Sequence, residues 1–287
     1  MKFRIVFFSS FLALFSMTFA AAQSNVTIGV RGGLNVPGLT GGNGDPVSEG
    51  YSTTTRLGAA VFAEFKLSDL FSIQPMLEYS QEGAKRNGMQ ALIATASDAQ
   101  LSGMFAPLAQ LGVTAPEYLY ANAKRTAKMD YLMLPVLAKF GWNLGQNSPW
   151  RLYVDAGPYA GLLVNAKNIV SLEGSIYADK SGTPIIPNEV MSMIPPEMLQ
   201  QITGGLTQIS NSLSGTQDIK DQLHKFNWGL EGNVGIQYQA NRNRIFLEAG
   251  GNYGLMNIQK STGNGLYLNG KNHIGALTVM LGYGYTL

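Results

Sequence analysis

The sequence predicts an all-β fold, an eight-stranded antiparallel up-and-down transmembrane β-barrel with short helices in its extracellular insertions. Three observations lead there. Eight segments alternate apolar side chains with polar or small ones at period two, the strand period and not the helical one. The connections between them run long, short, long, short, long, short, long, as in a barrel with tight turns at one end and larger loops at the other. After residue 22 no stretch is apolar enough to cross as a helix, so any later span must be made of strands.

Met1 to Ala22 opens with Lys2 and Arg4, continues through an apolar run from Ile5 to Phe15, and closes on Ala20-Ala21-Ala22 before Gln23. That order fits a cleaved secretory leader over residues 1–22, leaving a barrel domain over 23–287. The first segment, Val26 to Asn35, sets Val26, Ile28, Val30 and Leu34 against Thr27, Gly29, Arg31 and Asn35. Val36 to Thr54 is rich in Pro, Gly, Asn, Ser and Thr and reads as a long loop. The second and third segments, Thr55 to Leu67 and Leu70 to Glu82, flank a tight turn at Leu67-Ser68-Asp69.

Met129 to Asn165 is the most legible stretch. Leu132, Leu134, Val136, Ala138 and Phe140 share one face, and Trp150, Leu152, Val154, Ala156, Ala160, Leu162 and Val164 share one face after a polar turn through Asn143, Gly145, Asn147 and Ser148. Segment six, Phe226 to Gln239, opposes Trp228, Leu230, Val234, Ile236 and Tyr238 to Asn227, Gly229, Glu231, Asn233, Gly235 and Gln237. A short turn at Asn241-Arg242-Asn243 leads to segment seven, Arg244 to Met256, where only Phe246 breaks the alternation. A Gly- and Asn-rich loop, Asn257 to Asn272, precedes the last segment, in which Leu277, Val279, Leu281, Tyr283, Tyr285 and Leu287 share a face.

Two larger insertions, about 83–128 and 166–225, have a different rhythm. Ala91, Leu92, Ala94, Leu101, Phe105, Leu108 and Leu111, and then Met198, Leu199, Ile202, Leu206, Ile209, Leu213, Ile219 and Leu223, recur nearer the helical spacing. Pro195-Pro196-Glu197 resembles a helix start. These helices either pack on each other as a lid or expose a groove. In the second case Met191, Met193, Met198, Leu199, Ile202 and Leu206 form an adaptable contact surface for an outer-surface lipid or another envelope protein.

The polar strand faces carry Arg31, Glu64, Lys66, Glu78, Lys139, Arg151, Asp155, Glu231, Arg244 and Glu248, five basic and five acidic, interleaved with glycine. An eight-stranded barrel has room inside for side chains and none for a wide pore, so these charges are expected to pair across a plugged lumen. Trp142, Trp150, Phe65, Phe71, Tyr238, Tyr283 and Tyr285 lie near short turns and suit one aromatic girdle, with Tyr79, Trp228 and Tyr253 in the other.

Other chemistry is thin. Removing Lys2 and Arg4 from 20 basic residues leaves 18 against 18 acidic ones, so nothing points to nucleic acid. There is no cysteine, hence no disulfide and no thiolate metal site. No cofactor motif is present, and His224 and His273 form no metal motif. A lipid-hydrolysing alternative needs a serine, a histidine and a carboxylate together; Ser212 or Ser214, His273 and Glu173 are the available residues, without a spacing that unites them. A narrow solute channel is a third possibility.

YLMLPVLAKF at Tyr131 to Phe140, YVDAGPYAGLL at Tyr153 to Leu163, FNWGLEGNVGIQY at Phe226 to Tyr238 and FLEAGGNYGLMNI at Phe246 to Ile258 resemble the PorT-like outer-membrane β-barrel family of Gram-negative bacteria. The resemblance covers all the segments and is most specific from the fourth to the seventh. It implies a small barrel integral to the outer membrane, with lipid as its surroundings, both termini periplasmic, and little chemistry. Barrels of this kind often end on an aromatic residue, whereas this chain ends Tyr285-Thr286-Leu287.

Overall fold

The computed structural model describes residues 26–41, 50–97, 99–260 and 271–287. The leader expected over Met1 to Ala22 lies outside the described residues. The strands, in chain order, are β1 (Val26–Gly41), β2 (Arg56–Lys66), β3 (Phe71–Ala94), β4 (Tyr118–Asn143), β5 (Trp150–Tyr177), β6 (Gly215–Asp218), β7 (Phe226–Ala240), β8 (Asn243–Gly254) and β9 (Asn272–Thr286). They pair antiparallel in the order β4-β3-β2-β1-β9-β8-β7-β5, and β4 also pairs with β5, so eight of them close into a ring. The short β6 continues the sheet beside β5 at Lys167 to Val170, beyond the stretch Trp150 to Leu162 that β7 occupies.

The two faces of the ring are inverted relative to a soluble barrel. Val30, Leu57, Val61, Leu134, Leu162, Leu230, Val234, Leu277 and Leu281 all project outward and exposed, while Arg31, Glu78, Asp155, Glu231 and Glu248 are buried inside. Water would leave the first set without cover, and a bilayer supplies it. Trp142, Trp150, Tyr238, Tyr283 and Tyr285 are outward-facing near the short-turn end, with Trp150 against Tyr238 at 5.0 Å between ring centroids. Tyr79, Trp228 and Tyr253 are outward-facing toward the other end. The turns follow local chemistry. Phe71 N donates to Ser68 Oγ in the first, and Asn147 and Asn241 take positive φ in the other two.

Four strands run past their expected ends. β1 reaches Gly41, where a loop was expected after Asn35. β3 continues past Glu82 to Ala94, β4 begins at Tyr118 and β5 ends at Tyr177, so the insertions lose much of their expected length to sheet. The twelve added residues of β3 rise roughly 40 Å along the strand at about 3.3 Å each. Ala91, Leu92 and Ile93 are all buried, so this run is apolar on both faces and its spacing does not distinguish strand from helix. Among the described residues, helix in the first insertion is confined to Thr95–Ser97, α1 (Ala99–Phe105) and Leu108–Leu111. In the second it forms α2 (Asn188–Met191) and α3 (Pro196–Leu213), while Ile219 and Leu223 flank a single short turn at Lys220–Gln222.

The insertions share one core. Leu101, Phe105 and Leu108 from the first meet Ile185, Ile186, Ile194 and Ile202 from the second, on a wall made by Leu92, Leu119, Ala121 and Ala123. The result is a folded cap seated on the β3-β4-β5 extension.

Candidate functional site

The interior of the ring is layered. At the long-loop end Met129, Met133 and Leu163 meet Ile219, Leu223, Ile258 and Ile274 in a buried apolar cluster. Ile219 N donates to Ala166 O and His224 N to Ile258 O, which ties the segment after β6 across the ring's mouth. Tyr131 and Tyr159 belong to the same cluster, near the fully buried Glu82.

The next layer centres on Arg31. Its guanidinium pairs with Glu248 at 2.5 Å and Glu231 at 2.6 Å, and with Glu78 as well. These four residues come from β1, β8, β7 and β3, so their charged groups span the lumen. All four side chains are at most 4% exposed. The planar fork of arginine suits this role, since it presents five donors around one charge. Asn233 Nδ2 donates to Asp155 Oδ1 at 2.9 Å and to Glu231 Oε1 at 3.2 Å, joining Asp155 to the cluster.

Below it lies an aromatic layer. Phe62, Met76, Leu137, Tyr153 and Phe246 form a buried cluster, with Phe62 and Phe246 edge to face at 5.6 Å. Glycines on neighbouring strands make the room. A β-carbon at Gly282 would overlap the Phe246 ring, and one at Gly235 would overlap Tyr153. Tyr153 also links layers, because its hydroxyl donates to Glu248 Oε2 at 2.8 Å while Lys139 Nζ sits 3.9 Å from its ring centroid. The lowest layer joins Glu64 to Arg244 at 2.5 Å and to Lys139 at 3.2 Å, with Ser72 Oγ donating to Glu64 at 2.9 Å.

Eight of the ten charges expected inside therefore lie there: Arg31, Glu64, Glu78, Lys139, Asp155, Glu231, Arg244 and Glu248. Lys66 does not. Its position at the last residue of β2 carries it past the ring to an exposed pair with Asp69 at 2.7 Å, which holds the Asp69 carboxyl below its usual range. Arg151 stands half-buried at the same rim and donates to Asp69 O. The expected balance of five and five thus becomes three basic against five acidic residues. Glu82, Arg86 and Arg125, also buried on the inner face, belong to the interior set that sequence reading did not assign, whereas Asp130, in register with Gln81 and Asn165, is buried on the opposite face.

Among the proposed contact residues, Ile202 is buried in the cap core and Met198, Leu199 and Leu206 pack partly buried against it. Met191 and Met193 remain exposed, the latter at 69%. Glu173 pairs with Lys124 at 2.6 Å, and His273 Nδ1 lies 3.1 Å from Gly254 O with its ring stacked on Tyr253. Neither is the other's partner, and Ser214 is exposed after α3. Among the described residues no three acidic or histidine side chains are placed to hold a metal ion.

A family model described as outer membrane protein beta-barrel domain matches residues 21–260. Solved structures resembling the chain include OprG of Pseudomonas aeruginosa, at 11% identity over 92% of this chain and 96% of that one, TM-score 0.36. Ail, the attachment invasion locus protein of Yersinia pestis, matches at 11% identity over 91% and 98%, TM-score 0.34. Outer membrane protein W of E. coli matches at 16% identity over 92% and 99%, TM-score 0.34. No curated protein matches the chain.

Proposed function

Since the chain belongs to the outer membrane protein beta-barrel domain family, integral to the outer membrane, we propose that it is a non-enzymatic scaffold whose closed lumen holds a rigid barrel and whose cap binds a partner. Within the family, the strand sequences quoted above favour a PorT-like affiliation. The leader is removed on export, both termini face the periplasm, and the long-loop end faces outward.

The observation that carries this reading is the shared core of the two insertions. A cap built from Leu101, Phe105, Leu108, Ile194 and Ile202 on a sheet wall is a preformed surface, which loses little freedom on binding. Met198, Leu199, Ile202 and Leu206 support that surface from beneath, and Met191 and Met193 on and beside α2 are its contact residues. Flexible thioether side chains suit either another envelope protein or a surface lipid.

Cross-linking and co-purification from native membranes, with and without the paired changes Met191→Glu and Met193→Glu, test it. Loss of one specific companion supports a binding cap. An unchanged set of companions, with the variant folded, returns the cap to a purely structural role.

A further inference from the structure

Above the lipid band the outward face of the β3-β4-β5 extension changes character. Gln81, Asp130 and Asn165 stand side by side in register as a polar row, just beyond the exposed Tyr79, Leu132 and Val164. Past that row Lys128 of β4 and Lys167 of β5 lie directly opposite each other. Lys85 of β3, in register with Thr126, is the diagonal neighbour of Lys128. Like charges set opposite one another destabilise a sheet, so this arrangement costs stability unless an anion joins it.

The acids on this face are already engaged. Lys124 is taken by Glu173 at 2.6 Å. Asp130 accepts Asn165 Nδ2 at 2.9 Å, and Asp218 of β6, in register with Lys167, accepts Lys220 N at 2.9 Å. Lys220 reaches back with Nζ to Val164 O at 2.8 Å, which brings a fifth lysine beside three carboxylates. In the turn that follows, Lys225 and Asp221 pair with each other at 3.3 Å and cancel. Lys85, Lys128 and Lys167 are in no ion pair among the described residues. The charge is also one-sided. At this end the outward positions of the other long strands include Val36 and Thr40 on β1, Phe226 on β7, Tyr253 on β8 and Gly275 on β9, none of them charged.

Height fixes what can reach these lysines. Lys128 is four residues beyond Leu132 and Lys167 three beyond Val164. At about 3.3 Å per residue on strands tilted about 40°, that is roughly 8–10 Å above the last apolar side chains of the lipid band. The headgroup layer fills roughly the first 5–7 Å outside the hydrocarbon, and a lysine stem bends over such a distance with its ammonium in the polar layer. Beneath, a shallow apolar groove walled by Leu34, Leu57 and Tyr79 over Ala59 runs up to Gln81, where the polar row begins.

We propose that this face is a binding site for a phosphorylated lipid of the outer leaflet, with a phosphomonoester held by Lys85, Lys128 and Lys167 and one acyl chain lying in the groove below. The surplus of two lysines matches a phosphomonoester, which carries about −1.5 to −2 at neutral pH, better than the single charge of a phosphodiester. Lysine suits a group presented by a fluid bilayer, because a point charge on a flexible stem demands no fixed geometry.

The site is separate from the cap's contact residues, but its leaflet rests on the outward orientation proposed above. The test is native mass spectrometry of the full-length barrel released from micelles, titrated with lipid A bearing its phosphates, with dephosphorylated lipid A and with inorganic phosphate. Expected is preferential retention of the phosphorylated lipid. Lys128→Gln with Lys167→Gln should weaken it by about 25-fold, at roughly fivefold per lysine. Asp218→Asn should strengthen it, a change that loss of fold cannot imitate, while Lys180→Gln in the cap leaves it unchanged. Equal retention of the dephosphorylated lipid, an indifferent double variant, or inorganic phosphate binding as tightly as the lipid would overturn the proposal. The chain has no cysteine, so Ser214→Cys labelled on intact cells by a membrane-impermeant maleimide reads the orientation alone. Absence of that label would overturn the outer-leaflet assignment whatever the purified barrel retains.

Discussion

Replacing Arg31 by methionine removes the cation that binds Glu78, Glu231 and Glu248 while keeping a long side chain in place. With these carboxyls at most 4% exposed, their remaining charge has no water to move into. One of these carboxyls must then take up a proton. Protonating a carboxyl of ordinary pKa, about 4.3, costs about 3.7 kcal/mol at pH 7 and about 1 kcal/mol at pH 5, at about 1.4 kcal/mol per unit. The first figure agrees with the roughly 3–5 kcal/mol typical of breaking a buried pair. Arg31→Met should therefore destabilise the barrel by about 4 kcal/mol at neutral pH, and the loss should shrink as the solution is acidified. Trp142, Trp150 and Trp228 all face outward, so their fluorescence reports loss of the barrel during urea titration in detergent micelles. A loss below about 1 kcal/mol at pH 7 would mean that water reaches these carboxylates, and the reasoning from a dry lumen would fail.

Other consequences are equally open to measurement. Gly282→Val drives a side chain into the Phe246 ring and should cost about 1–3 kcal/mol in the same titration, with the double variant Gly282→Val, Phe246→Leu losing less than the sum of its parts. Val234→Lys places an ammonium on the outward face and should cost up to about 2–4 kcal/mol in lipid, depending on depth; an indifferent response would remove Val234 from the membrane band. Ile202→Asp puts a charge into the cap core, so limited proteolysis should cut within residues 95–117 or 178–213 while the barrel's fluorescence stays native. Simultaneous loss of both would show that cap and barrel form one cooperative unit.

The strands were legible because a lipid-facing barrel writes its two faces into alternate residues, and Trp150 to Val164 shows this without interruption. Where both faces of a strand are covered, that signal disappears. Gln90 to Ala94 is part of the sheet wall under the cap, with Ala91, Leu92 and Ile93 all buried, so its apolar run read as helix while the chain formed strand. Membership in the lumen was legible from face but not from depth. Lys66 has the parity of Glu64, yet two residues farther along β2 it has left the ring for Asp69. Phe62 keeps the inward parity of Glu64, and Phe246 read as a break in the alternation of segment seven because a large apolar side chain on a barrel strand is expected to point outward. The signal that places them inside was present in Gly29 and Gly282 on adjacent strands, whose missing β-carbons leave the space the rings fill. In the second insertion the helical spacing identified α3 correctly, but spacing alone does not say whether Met198, Leu199, Ile202 and Leu206 face a partner or a core supplied by the first insertion.

The most direct test of the closed lumen is electrical. Purified barrel inserted into a planar lipid bilayer is predicted to give a silent trace, with Arg31 and its three glutamates holding the lumen shut. Sustained conductance in the intact protein that scales with salt concentration would contradict it.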